Sequence, residues 1–178
     1  MSWFQVLQRH SVSACQAALR NDRQTTGGSA KESDLPDIVK VLLSTLRLTS
    51  EPMRVAIIGN SGSGKSTLAA ALAAAGGVPC LDLDTIAWEP GKTAVPRDDE
   101  LARTDVRVFC RSNPHWLVEG CYATLIEAAL EYAPTLLFLN PGLDACLANC
   151  RSRPWEPHEY ASQQEQDGQP AVPLVLGC

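Results

Sequence analysis

From Arg54 onward, apolar and polar positions fall into short runs whose period keeps changing. Val55-Ala56-Ile57-Ile58 is a continuous apolar run of the length of a buried strand. Thr67 to Ala75 is rich in Ala and Leu, which favours a helix, and Gly76-Gly77 supplies its stop. Val78 to Leu83 reads as a second buried strand, followed by a loop from Thr85 to Val95. A helix is expected from Pro96, whose fixed φ suits a first helical turn, to Ser112. His115 to Gly120 then reads as a third strand, Thr124 to Tyr132 as a helix, Thr135 to Asn140 as a fourth strand and Leu143 to Arg151 as a helix. Strands that alternate with helices predict a parallel sheet covered by helices on both faces, an α/β fold in three α/β/α layers.

The flanks break this rhythm. Residues 1–52 read as an N-terminal extension. Its first 21 residues hold no acid and faintly suggest an organellar targeting peptide, and 24–33 reads as a polar linker. Asp37 to Leu48 predicts an amphipathic helix with Ile38, Val41, Leu42 and Leu46 on its apolar face. The regular domain spans 53–162. Residues 163–178 read as an irregular tail in which Leu174-Val175-Leu176 is the one stretch able to supply a stub of a fifth strand. The 178 residues are 45% hydrophobic and 20% charged, enough to bury a core within one domain. A net charge of -5 with scattered Lys and Arg argues against a nucleic-acid-binding surface. No apolar run reaches the ~20 residues of a membrane helix. The seven cysteines form no close-set framework and read as free thiols in a reducing, cytoplasmic setting. Cys146 and Cys150, with Cys121 and His158, form a conceivable zinc set, but semi-buried thiols packing as small hydrophobes is the preferred reading.

Candidate chemistry concentrates where the first strand ends. Gly59-Asn60-Ser61-Gly62-Ser63-Gly64-Lys65-Ser66-Thr67 fills the pattern G-x-x-x-x-G-K-S/T between a strand and a helix, the context that a P-loop requires. Glycines let successive backbone N–H groups turn toward a phosphate oxygen. Lys65 brings a compact positive charge for the outer phosphates, and Ser66 brings a hydroxyl for Mg²⁺. In open parallel sheets ligands lie beyond the carboxyl ends of the strands, where Asp82, Asp84 and Glu119 all fall. Glu119 and Asp82 are candidates for the magnesium side, and Asp84 for the acceptor side. Arg151 and Arg153, near Pro154, Trp155, Pro157 and Tyr160, are candidates for a lid whose guanidinium forks reach a transferring phosphate; a charged helix end facing solvent is the plainer alternative.

Four stretches carry a resemblance: Gly59 to Thr67; Leu83-Asp84 with Trp88-Glu89-Pro90-Gly91; Trp116-Leu117-Val118-Glu119-Gly120 with Tyr122; and Cys150-Arg151 through Pro154-Trp155-Glu156-Pro157-His158. Over residues 53 to 167 the chain resembles the small adenylate-kinase-like P-loop proteins often labelled topology modulation proteins, related to shikimate and nucleoside-monophosphate kinases. The Leu-Asp-x-x-x-Trp-x-Pro-Gly stretch is the most specific part of that likeness. The resemblance implies a sheet in the order 2-3-1-4-5, an acceptor pocket between strands two and three, and an arginine-bearing lid. The chain departs from many relatives in having Glu119-Gly120-Cys121-Tyr122 for Asp-Gly-Asn-Tyr, Asn140 where strand four usually ends in Asp, and a divergent sequence past Asp167. For the four legible strands the resemblance thus implies the order 2-3-1-4.

The expected activity is transfer of the γ-phosphoryl group of ATP, with Mg²⁺, to a small-molecule acceptor such as a nucleotide or a hydroxylated metabolite. The competing expectation is a nucleotide-dependent regulatory or binding protein with little or no kinase activity. Neither a nucleic-acid nor a membrane partner is expected, and the oligomeric state is not legible.

Overall fold

The computed structural model describes residues 35–47, 52–156 and 160–168. The targeting-like first 21 residues, the linker at 24–33, His158 and the stretch Leu174-Val175-Leu176 lie outside the described residues.

Four parallel strands form one sheet: β1 (Arg54–Gly59), β2 (Cys80–Asp82), β3 (Trp116–Gly120) and β4 (Thr135–Leu139), in the order β2-β3-β1-β4. Among the described residues no fifth strand joins β4. Among the described residues seven helices accompany them: α1 (Asp37–Arg47), α2 (Lys65–Gly76), α3 (Asp84–Ala87), α4 (Asp99–Ser112), α5 (Ala123–Leu130), α6 (Leu143–Ser152) and α7 (Gln163–Gly168). None of the described helices is long and apolar enough to cross a membrane.

Side chains alternate across a strand, so each face of the sheet collects its own core. On one face Val55, Ile57, Leu117 and Leu137 pack with Leu68, Ala69 and Leu72 of α2, and with Val39, Leu42 and Leu43 of α1. On the other, Trp116 and Val118 pack with Ala102, Val106 and Cys110 of α4 and with Leu125, Ile126, Ala128 and Ala129 of α5. The two clusters define the α/β/α layers. β1 pairs Val55 to Ile58 with Leu117 to Gly120 on one side, and Val55 to Gly59 with Thr135 to Leu139 on the other. This register aligns the carboxyl ends of β1, β3 and β4 at one rim.

Several elements differ from expectation for identifiable reasons. Leu42 of the expected face is buried and Ile38 and Leu46 are partly buried against the core, where Val39 and Leu43 join them; of that face only Val41 turns outward, 54% exposed. Helical spacing admits Val39 and Leu43 as well as Val41, and the position of α2 selects between them. The second strand is only Cys80–Asp82 and is partly exposed, because it is an edge paired with β3 alone. Pro96 does not start a helix but forms an antiparallel bridge with Trp88. α4 starts at Asp99 because Asp98 caps it, its side chain accepting from Leu101 N–H at 3.0 Å. Within the expected loop, Asp84–Ala87 coils into α3. Gln163–Gly168 is helical where no periodicity predicts it, started by Ser162, whose Oγ accepts from Glu165 N–H at 3.2 Å, and by Glu165, whose carboxylate accepts from Ala161 N–H at 2.9 Å.

The docking of α1 carries a measurable consequence. Leu43 is 2% exposed within the shared core, so Leu43→Ala is expected to lower unfolding free energy by about 2–5 kcal/mol in urea denaturation. A loss under about 1 kcal/mol would mean that α1 contributes little to the fold.

Candidate functional site

The rim of the sheet is built around the turn from β1 into α2. Gly59 abuts the end of β4: a Cβ there would collide with the Leu139 carbonyl and lie 2.7 Å from Ser63 Oγ. Gly62, at φ 72°, is pressed against α6, where a Cβ would collide with the Cys146 carbonyl and lie 2.8 Å from Cys150 Sγ. Only glycine fits either position, so the loop passes close to two neighbouring elements. Ser63 N–H closes a tight turn onto Asn60 O at 3.1 Å, and Asn149 Nδ2 of α6 donates to Gly62 O at 2.7 Å.

The loop ends at Gly64, which precedes α2 in the left-handed region and has no side chain to cap the helix. The first N–H groups of an α-helix lack intrahelical acceptors, so this helix start presents donors and the positive end of its dipole. Space is open where a Gly64 side chain would stand. Lys65, 9% exposed, donates from Nζ to Asn60 O at 3.1 Å and so folds back along the loop. Ser63 Oγ is buried and has no hydrogen-bond partner among the described residues. An uncapped helix start, a buried lysine and an orphaned hydroxyl together fit an anion with several acceptor oxygens.

Glu119, at the end of β3, lies beside this loop and is 2% exposed. It stands opposite Ile57 of β1 and Asp82 of β2. Burial pushes its carboxyl group up to about 7; a hydrogen bond from the Ser66 hydroxyl opposes the rise, neighbouring Asp82 and Asp84 add to it, and Lys65 opposes it. The structure therefore brings Ser66, Glu119 and Asp82 together, the three residues expected at a metal. Among the described residues no three His, Cys, Asp or Glu side chains form a metal cage. A hard divalent cation that keeps several waters and takes one or two carboxylates with ligand oxygens matches this donor set; an all-protein zinc site does not. Cys146 is buried, which pushes its thiol up, and all five described cysteines are free thiols.

Asp84 lies just beyond β2, on the first turn of α3. Its N–H donates to Asp82 Oδ1 at 2.9 Å, and its Oδ1 accepts from Tyr122 OH at 2.6 Å. Tyr122 OH in turn accepts from Trp88 Nε1 at 3.0 Å. Burial and the adjacent carboxylate both push the Tyr122 hydroxyl well above its usual range, so it stays protonated. Trp88 shares the Leu-Asp-x-x-x-Trp stretch with Asp84, whereas Tyr122 is a neighbour that no spacing rule assigns to it, since 38 residues separate the two. Arg151 is exposed at the end of α6, and Arg153 pairs with Glu156 at 2.9 Å. Ser61 lines the loop and Thr67 lies in the first turn of α2, where its side chain is exposed.

Compared with known proteins, the chain matches no family model and none of the curated proteins.

The buried acid sets a pH dependence. Below about pH 4.5 Glu119 is protonated folded or unfolded, and well above 7 it is ionised in both states. Between these values the folded state holds a proton that the unfolded state releases, so stability falls as pH rises, by about 3 kcal/mol in total. Glu119→Gln is neutral and nearly isosteric. It is expected to melt well above the wild type at pH 8, with the gap closing near pH 4; equal gaps at both pH values would contradict the burial of the charge.

Proposed function

We propose that this chain is a P-loop kinase-like protein of the adenylate-kinase-like, topology-modulation type. In this reading it binds Mg-ATP in the cytoplasm and transfers the γ-phosphoryl group to a small-molecule acceptor. The observation that carries the reading is buried Glu119 facing Ser66 and buried Lys65, at the uncapped start of α2. It joins a hydroxyl, a carboxylate and a cation at one helix N-terminus, the combination that holds a magnesium-bound triphosphate. The parallel order β2-β3-β1-β4 supports the same reading by opening the rim beyond β2 and β3 to an acceptor.

ATP would supply the transferable group, and its magnesium ion would offset charge on the phosphate oxygens. The residues of this chain have separate tasks. The loop's N–H groups other than that of Ser63, those at the start of α2 above all, and the Lys65 ammonium bind the phosphates; Ser66, Glu119 and Asp82 hold the magnesium side, in part through water. Asp84, fixed in orientation by Tyr122, accepts the hydrogen bond of the acceptor hydroxyl and orients it for in-line attack. Arg151 and Arg153 close over the transferring group.

A second reading is favoured by one contact. Arg153 is engaged by Glu156 at 2.9 Å, which suits a nucleotide-dependent binding or regulatory protein with little turnover. The two readings differ in whether an acceptor accelerates ADP release.

Lys65→Ala is expected to weaken Mg-ATP binding by about 100-fold, since a charge-assisted contact with phosphate is lost. Calorimetric titration checks this, and unchanged affinity would remove Lys65 from the site. Asp84→Asn is expected to keep ATP affinity and to lose ADP release stimulated by a panel of nucleoside monophosphates and hydroxylated metabolites. Full stimulated activity in Asp84→Asn would exclude Asp84 from the transfer step.

A further inference from the structure

The loop from Gly59 to Lys65 is held from outside by a helix more than 80 residues away in the chain. Asn149 of α6 donates from Nδ2 to Gly62 O at 2.7 Å, across a sequence separation of 87 residues. The other end of the same peptide group is also engaged, because Ser63 N–H donates to Asn60 O at 3.1 Å. Both hydrogen-bonding groups of the Gly62–Ser63 peptide are therefore pinned. Turning that peptide over would change ψ at Gly62 and φ at Ser63 and would break both of these hydrogen bonds. A rotated peptide would turn its carbonyl oxygen toward the loop interior, where it would face anionic oxygens instead of the neighbouring N–H donors.

We propose that Asn149 is a positioning residue of the phosphate site, locking the Gly62 carbonyl onto α6 so that the loop stays set for a polyphosphate. The inference rests on the Mg-ATP reading above and adds a device that controls the same site. Two further observations support it. Cys146 and Cys150, one turn apart on α6, leave no room for a side chain at Gly62, so the loop and the helix fit each other along a full turn. The same helix carries Arg151 in its last turn and is followed directly by Arg153, so the element that holds the Gly62 carbonyl also leads to the arginine segment. A shift of α6 would then move the loop carbonyl and the arginines together.

The test uses the full chain with sodium tripolyphosphate and a non-hydrolysable Mg-ATP analogue as probes, each titrated calorimetrically. Titrations run at 10 °C, well below the melting midpoint of each protein as measured separately. At that temperature the chain is fully folded, so a loss of stability alone leaves affinity unchanged. Asn149→Ala is expected to weaken both probes about 10-fold, as one hydrogen bond is lost. Asn149→Asp keeps the size of the side chain but sets a carboxylate oxygen against the carbonyl, and is expected to weaken both further. Asn149→Asp also serves if the alanine variant does not fold. Wild-type affinity for tripolyphosphate in either folded variant overturns the role of Asn149 while leaving the nucleotide reading intact. A wild-type chain that binds neither probe overturns the nucleotide reading itself, and this inference with it.

Discussion

An acid at the end of a central strand, with almost none of its surface exposed, is the constraint on which the rim of this protein depends. Glu119 sits in β3 between β1 and β2, and burying a carboxyl group in that position is unfavourable unless its neighbours supply a proton or a donor. Ser66 supplies the donor and Lys65 the nearby positive charge, and both come from the first turn of α2. The start of α2 and the end of β3 therefore meet beside the glycine-rich turn between β1 and α2. The same arrangement keeps a polar cluster at the edge of an otherwise apolar sheet.

The two cores make that cluster rigid. Leu68, Ala69 and Leu72 seat α2 on one face, and Trp116 and Val118 seat β3 against α4 and α5 on the other. α1 adds Val39, Leu42 and Leu43 over α2, so an element outside the alternating pattern helps to hold the helix that carries Lys65 and Ser66. On the far side, Arg107 grips Glu131 at 2.9 Å and Thr124 donates to Asp99 at 2.6 Å, fastening α4 to α5. Exposed pairs of this kind stabilise little singly, and the apolar contacts beneath them dominate.

Much of this architecture is legible in the amino-acid sequence, because local signals carry it. The run Val55 to Ile58, the glycines that follow and the alternation of strand and helix define the layers and place Lys65, Ser66 and Glu119 at one rim. What escapes a linear reading is set by contacts between distant segments. Helical spacing on α1 admits Val39 and Leu43 as well as Val41, and packing against α2 chooses the first two. Pro96 has the φ of a helix start, yet its bridge to Trp88 and the capping carboxylate of Asp98 move that start onward. The partnership of Tyr122 with Asp84, and of Asn149 with Gly62, joins residues dozens of positions apart and leaves no trace in spacing. Arg153 is the opposite case: its partner Glu156 is three residues away, a pairing visible in the local sequence.

The chain from Trp88 through Tyr122 to Asp84 has a direction that cannot be reversed. An indole nitrogen has a proton to give and no lone pair to offer, so the phenol must receive at that side and pass its own proton onward. With that phenol held in its neutral form, the carboxylate at the end always plays the receiving part through Oδ1. The tyrosine is thus fully occupied and shuttles nothing. It works as a fixed strut, leaving Oδ2 as the oxygen of Asp84 that Tyr122 does not take.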